Sequence, residues 1–220
     1  TGIASLGCDR FEMDAWGVDV MVSSCQKGLM TPAGISFVWY NAKADAARPV
    51  RVSRYWDWRA RTDPNQYFQY FNGTAPTHHL YGLRTALDMI KDEGLDDVFA
   101  RHSTLARTVW AAFDCWSQEG PLELNIADPA NRSHAVTSVI AGPANGDALR
   151  RWCEYEAGLT LGIGLGRSPA DAYFRIGHMG HVNAHMIMGV LGTMQAGLIA
   201  LDIPHGTGAL DAAARVIAVG

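Results

Sequence analysis

A chain of 220 residues, 48% of them hydrophobic, can bury a sizeable core as one large domain or as parts of two. Its net charge of −4 excludes the basic footprint of a nucleic-acid binder, and no apolar run approaches the ~20 residues of a membrane helix. The four cysteines, Cys8, Cys25, Cys115 and Cys153, form no CxxC pair and no zinc-like spacing. They read as reduced thiols of a cytoplasmic protein, and no metal site is expected.

The chain opens TGIASLGCDRF and enters a β-like stretch almost at once, which reads as the middle of a domain. Residues 17–24 (GVDVMVSS) are expected to form a short buried strand, and residues 34–40 (GISFVWY) a second one. Between them lies the small-residue loop CQKGLMTPAG. Residues 42–48 read as a polar helix or turn. Residues 55–74 are aromatic and polar without a clean period, as expected of a long functional loop.

Helical spacing begins at Pro76, with Leu80, Leu83, Leu87 and Ile90 repeating toward a stop at Gly94. A second helix over 96–118 carries Val98, Leu105, Val109, Ala112 and Trp116. Then come a strand (134–141), a helix (145–158), a strand (172–176), a Met-rich helix (182–201) and a terminal helix (208–219). The Met residues 179, 186, 188 and 194 read as core filler. This order suits an α/β remnant followed by an α+β domain, divided into residues 1–95 and 96–220.

Lysine is scarce, at Lys27, Lys43 and Lys91 only. Lys27 follows a strand in S-S-C-Q-K-G-L-M, where lost hydration favours the neutral amine, and a neutral amine can form a Schiff base with an aldehyde. An ordinary surface lysine at a strand end fits the spacing equally well. Arg175 ends a strand beside two glycines, where a surface ion pair explains it poorly. His178 and His181 flank the G-H-M-G turn but lack a third ligand at metal spacing, and read as structural. His78-His79 reads as packing or interface, and the Trp/Tyr/Phe-rich stretches 56–58 and 67–71 as a substrate mouth or a dimer surface.

The run FEMDAWGVDVMVSSCQKGLMTPAG resembles the lysine segment of the alanine–glyoxylate and serine–glyoxylate aminotransferases. Ser5-Leu6-Gly7, Asp14, Trp16, Val18-Asp19-Val20, Lys27, Leu29, Pro32 and Gly34 carry the likeness, which continues through GTAP (73–76), YGLRTALDMI (81–90) and FRIGHMG (174–180). These enzymes are class V, fold-type-I aminotransferases dependent on pyridoxal 5'-phosphate (PLP). The resemblance implies an α/β PLP-transferase fold, present as the C-terminal part of the large αβα domain plus the small C-terminal α+β domain.

It further implies transamination between a small amino acid and glyoxylate or pyruvate. Lys27 would hold PLP and shuttle the substrate proton. Arg175 would clamp the substrate carboxylate, and Thr74 would reach the cofactor phosphate of a neighbouring subunit. The expected partners are therefore a second copy, in a dimer, and a separate N-terminal chain completing the fold. Two positions depart from the family pattern. A tyrosine on the phosphate is replaced by Phe71, so that contact is lost or passes to Tyr70 or Asn72. The aspartate that keeps the pyridine nitrogen charged is replaced by Thr1, six residues before Gly7, which puts the cofactor in question. Thr1 opens an alternative: an autoproteolytically processed amide or lactam hydrolase, with Thr1 as nucleophile, its own α-amine as base, and no PLP.

Overall fold

The computed structural model describes residues 1–63 and 65–220; Pro64, within the expected aromatic loop, lies outside the described residues. The chain divides into two compact units, Thr1–Leu6 with Phe11–Glu93, and Gly7–Arg10 with Gly94–Gly220.

In the first unit, β1 (Val20–Ser24) and β2 (Ser36–Tyr40) form an antiparallel pair with Met21 opposite Trp39 and Ser23 opposite Phe37. The β-branched and aromatic content of both segments favours this pleated pairing. The strand period of two puts Met21 and Ser23 on the buried face of β1. β2 departs from the expected burial: none of its five residues is buried, and Val38 and Trp39 are each 40% exposed. Among the described residues of this unit β2 pairs only with β1, and no second layer covers its outer face.

Helix α1 (Ala42–Ala46) follows at once, capped by the Asn41 side chain, which accepts from the Ala44 N–H. The aromatic segment holds two short 3-10 turns, Arg59–Arg61 and Tyr67–Phe71. Helix α2 (Thr77–Glu93) opens on the Pro76 carbonyl and buries Leu83, Ala86 and Ile90. These positions form one i, i+3, i+7 line. Leu87, expected on that face, lies one step round the helix and is 39% exposed.

The second unit holds the main core. Helix α3 (Leu95–Trp116) starts with Asp96 and Asp97 in its first turn, where carboxylates complement the helix dipole. All five of its expected apolar positions are buried. A four-stranded antiparallel sheet has the order β3 (Glu123–Leu124), β4 (Val136–Ile140), β6 (Tyr173–Gly177), β5 (Gly162–Ile163). Helices α4 (Asn145–Ala157), α5 (Ala184–Ala200) and α6 (Ala209–Val219) complete the layer with α3.

The core runs from Phe113 and Trp116, edge-to-face at 5.0 Å, through Phe174 of β6 to Leu191, Met194 and Leu198 of α5. Of the four methionines read as core filler, only Met194 is fully buried, and Met186 is exposed. The caps follow residue chemistry. Asn183 accepts from the Met186 N–H at the start of α5, and left-handed Gly158 closes α4 with its N–H on Cys153 and Glu154 carbonyls. No helix among the described residues is long and apolar enough to cross a membrane.

Candidate active site

Ser24 ends β1 on the buried side, and the chain returns to β2 through a loop organised by Cys25. The Cys25 N–H donates to the Ile35 carbonyl at 3.0 Å, and its own carbonyl accepts from the Thr31 N–H at 3.0 Å. Its thiol donates to the Pro32 carbonyl at 3.1 Å, and the Ile35 N–H lies 3.4 Å from the sulfur. Lys27 sits in the middle of this closed loop. Its carbonyl accepts from the Met30 N–H at 2.9 Å, with Met30 in the left-handed region at φ +57°. The Lys27 side chain is half-buried, and its amine has no partner among the described residues.

Helix α2 holds the far side of the loop. His79 Nε2 faces the Ala33 carbonyl at 2.9 Å, so that nitrogen carries the proton and donates. Gly34, at φ +154°, passes so close that a Cβ would lie 2.5 Å from His79 Nε2. Only glycine combines that conformation with that approach. The contact spans 46 residues of chain, and nothing local marks it beyond the Gly and the His themselves.

Thr74 is exposed, just after left-handed Asn72 (φ +53°) and Gly73 (φ +155°), and no bond engages its hydroxyl among the described residues. Phe71 is half-buried and packs edge-on against Tyr67, with ring centroids 5.7 Å apart. Thr1 is exposed, and its hydroxyl donates to the Val22 carbonyl at 3.3 Å, beside the Gly2 N–H that donates to the same oxygen at 3.0 Å. Lys27, Thr74 and Thr1 thus share the first unit.

Arg175 belongs to the second unit, at the centre of β6, opposite Ser138 of β4 and Gly162 of β5. Its Nε–H donates to the Ile163 carbonyl at 2.8 Å. Its two terminal nitrogens carry no bond among the described residues. Pinned at Nε and open at the fork, the guanidinium can offer two parallel N–H donors to a carboxylate.

The turn after β6 is held by buried histidines. Trp110 Nε1–H donates to Thr137 Oγ1 at 3.0 Å, the Thr137 hydroxyl donates to His178 Nε2 at 2.9 Å, and His178 Nδ1–H donates to the His134 carbonyl at 2.9 Å. That direction fixes His178 as the neutral Nδ1–H tautomer. Burial holds its pKa down at about 4, helped by the nearby His102 and His134. The Gly180 N–H donates to His102 Nε2 at 3.0 Å, and Arg101 binds the Gly180 and Val182 carbonyls at 2.9 and 3.0 Å. His178 is therefore structural, His181 is exposed, and no metal-holding cluster occurs among the described residues. Burial also pushes the thiols of Cys8 to about 12 and Cys153 to about 11, and all four cysteines are free.

Residues 2–181 match the aminotransferase class-V family. The chain is 34% identical over 219 residues to the serine–glyoxylate aminotransferase of Hyphomicrobium methylovorum, covering 94% of this chain and 52% of that enzyme. It is 34% identical over 220 residues to the L-aspartate–glyoxylate aminotransferase of Paracoccus denitrificans, covering 97% and 53%. The crystal structure of ureidoglycine–glyoxylate aminotransferase from Bacillus subtilis superposes with a TM-score of 0.83 at 25% identity, covering 99% of this chain and 56% of that one. The chain thus spans about half the length of the curated relatives it matches. None of these relatives supports the hydrolase reading of Thr1. The family match spans both units and includes the Lys27 loop and the Arg175 strand, so this chain belongs to the class V aminotransferases and carries part of their α/β PLP-transferase fold.

Proposed function

We propose that the protein carrying this chain is a PLP-dependent aminotransferase that exchanges the amino group of a small amino acid with glyoxylate or pyruvate. The observation that carries this reading is the Lys27 amine, unpartnered among the described residues on a loop whose backbone is closed from both sides. The glyoxylate-dependent enzymes among its relatives support the choice of acceptor. The first unit is the end of the large PLP-type domain and the second is the small C-terminal domain. The complete unit pairs as a homodimer, and the cytoplasm is its location.

The residues present fit the cofactor. Lys27 offers a free amine to its aldehyde, and Thr74 an exposed hydroxyl to a phosphate of the neighbouring subunit. Thr1 offers no charge to the ring nitrogen, because its hydroxyl is neutral and engaged with Val22. Bound PLP supplies a conjugated electron sink for the charge that develops at the substrate Cα. Lys27 Nζ takes the Cα proton and later returns one, so its free amine must sit within hydrogen-bond reach of that carbon's proton. Arg175, pinned at Nε, holds a substrate carboxylate through its two open terminal nitrogens.

The test is glycine formation from glyoxylate with serine, alanine or aspartate as donor. The complete, cofactor-loaded protein should catalyse it, and Lys27→Ala should lose about 10²–10⁴-fold in turnover. Absence of glycine with all three donors, or full turnover by Lys27→Ala, would overturn the proposal.

A further inference from the structure

Glycine is a poor choice inside a strand, because it adds backbone entropy to the unfolded chain and offers no side chain to the sheet. β5 has one at Gly162, directly opposite Arg175. Gly162 is not among the glycines with positive φ, so its backbone conformation does not require glycine. Space does. A Cβ there would lie 3.3 Å from Arg175 Cβ, 3.3 Å from the Arg175 carbonyl oxygen and 3.7 Å from Arg175 Nε. The Arg175 stem lies across the place where a side chain of residue 162 would stand.

The neighbouring atoms make that lane useful. Crossing it brings Nε to the Ile163 carbonyl at 2.8 Å. The same carbonyl accepts from the Leu165 N–H at 2.8 Å, which holds the oxygen in place from the other side. A second glycine, Gly164, keeps β5 pressed on β6, since a Cβ there would lie 2.4 Å from Tyr173 Cβ. The carbonyl between the two glycines is thus a fixed post, and the guanidinium fork beyond it is left unbonded among the described residues.

We propose that Gly162 is a positioning residue for Arg175: its missing side chain opens the lane that lets Nε reach Ile163 and aims the fork at the substrate carboxylate. The inference rests on the Arg175 clamp of the proposed function and adds the feature that sets its direction. A side chain at 162 displaces the Arg175 stem and breaks the Nε bond. The fork then meets the carboxylate at the wrong angle, and misplacement by about 1 Å is enough to be felt. Arg175 itself remains, so the loss falls on carboxylate recognition.

The experiment compares Gly162→Ala, Gly162→Val, Arg175→Ala and the double variant Gly162→Val/Arg175→Ala in the complete, cofactor-loaded enzyme. Gly162→Val should raise KM for the amino acid about 10-fold and Gly162→Ala about 3-fold, with kcat within about 2-fold. If Gly162→Val does not fold, Gly162→Ala carries the test. In the Arg175→Ala background the Gly162→Val change should add nothing to KM. A raised KM in Arg175→Ala with wild-type KM in both Gly162 variants would remove the positioning role alone. So would an undiminished Gly162→Val effect in the Arg175→Ala background. Unchanged KM in Arg175→Ala would remove the clamp itself.

Discussion

Arg175 and His178 lie three residues apart and have opposite electrostatic tasks. Arg175 keeps its fork open to solvent, where a charge costs little until substrate covers it. Truncating a desolvated charge pair costs about 2–5 kcal/mol, so Arg175→Ala should weaken carboxylate substrates by that amount, measured as KM or Kd. Arg175→Lys should recover only part, because an ammonium lacks the planar fork. His178 is held neutral, with its pKa at about 4 in the fold against the usual 6.5. Below the unfolded value the unfolded chain takes up a proton that the folded chain refuses. Stability is therefore full above pH about 6.5 and falls as pH drops toward about 4, by up to about 3 kcal/mol. The hydrogen bond to the His134 carbonyl and the charge of Asp9 oppose this trend, and the His102 and His134 rings reinforce it. Denaturant titrations at pH 7 and pH 4.5 should show the loss, and it should shrink in His178→Asn, whose amide can still donate to the His134 carbonyl. A pH-independent midpoint in wild type would contradict the assignment. Lys27 and Arg175 were legible as motif residues. The partners of His178 were not, because Thr137 lies 41 residues away and nothing local marks it.

At the scale of elements, periodicity located the long helices and the longer strands, and missed what is short or conditional. β3 and β5 have two residues each, too few for any period to register, yet β5 supplies the carbonyl that pins Arg175. β2 was legible as a strand from its β-branched and aromatic content, but its burial was not, since burial depends on a covering layer rather than on the strand itself. The Lys27 loop depends on an approach that sequence cannot show: Gly34 against the His79 ring. Gly34→Ala should destabilise the protein by about 1–3 kcal/mol through both the φ of +154° and the clash at 2.5 Å. In a His79→Ala background the clash disappears and the backbone strain remains, so only part of the cost should persist. Equal costs in both backgrounds, read from chemical denaturation, would show that the His79 contact is not what excludes a side chain.

At the scale of the molecule, the first unit exposes apolar surface that the second does not match. Trp16 is 56% exposed, and Val38 and Trp39 of β2 are each 40% exposed. Surface of that kind binds hydrophobic dyes and partner chains. Residues 1–220 produced alone should therefore bind an anilinonaphthalene dye, and a Trp39→Ser change should reduce the signal; a soluble monomer of these residues with no dye binding would contradict the expectation. The proposed chemistry nevertheless turns on one atom, Lys27 Nζ, and on whether the amine left free by its loop carries the cofactor. Borohydride reduction of the PLP-saturated protein, followed by peptide mapping, addresses that directly. The peptide containing Lys27 should gain a pyridoxyl group, while those of Lys43 and Lys91 should stay unmodified. An unmodified Lys27 peptide from the reduced, saturated protein would contradict the account.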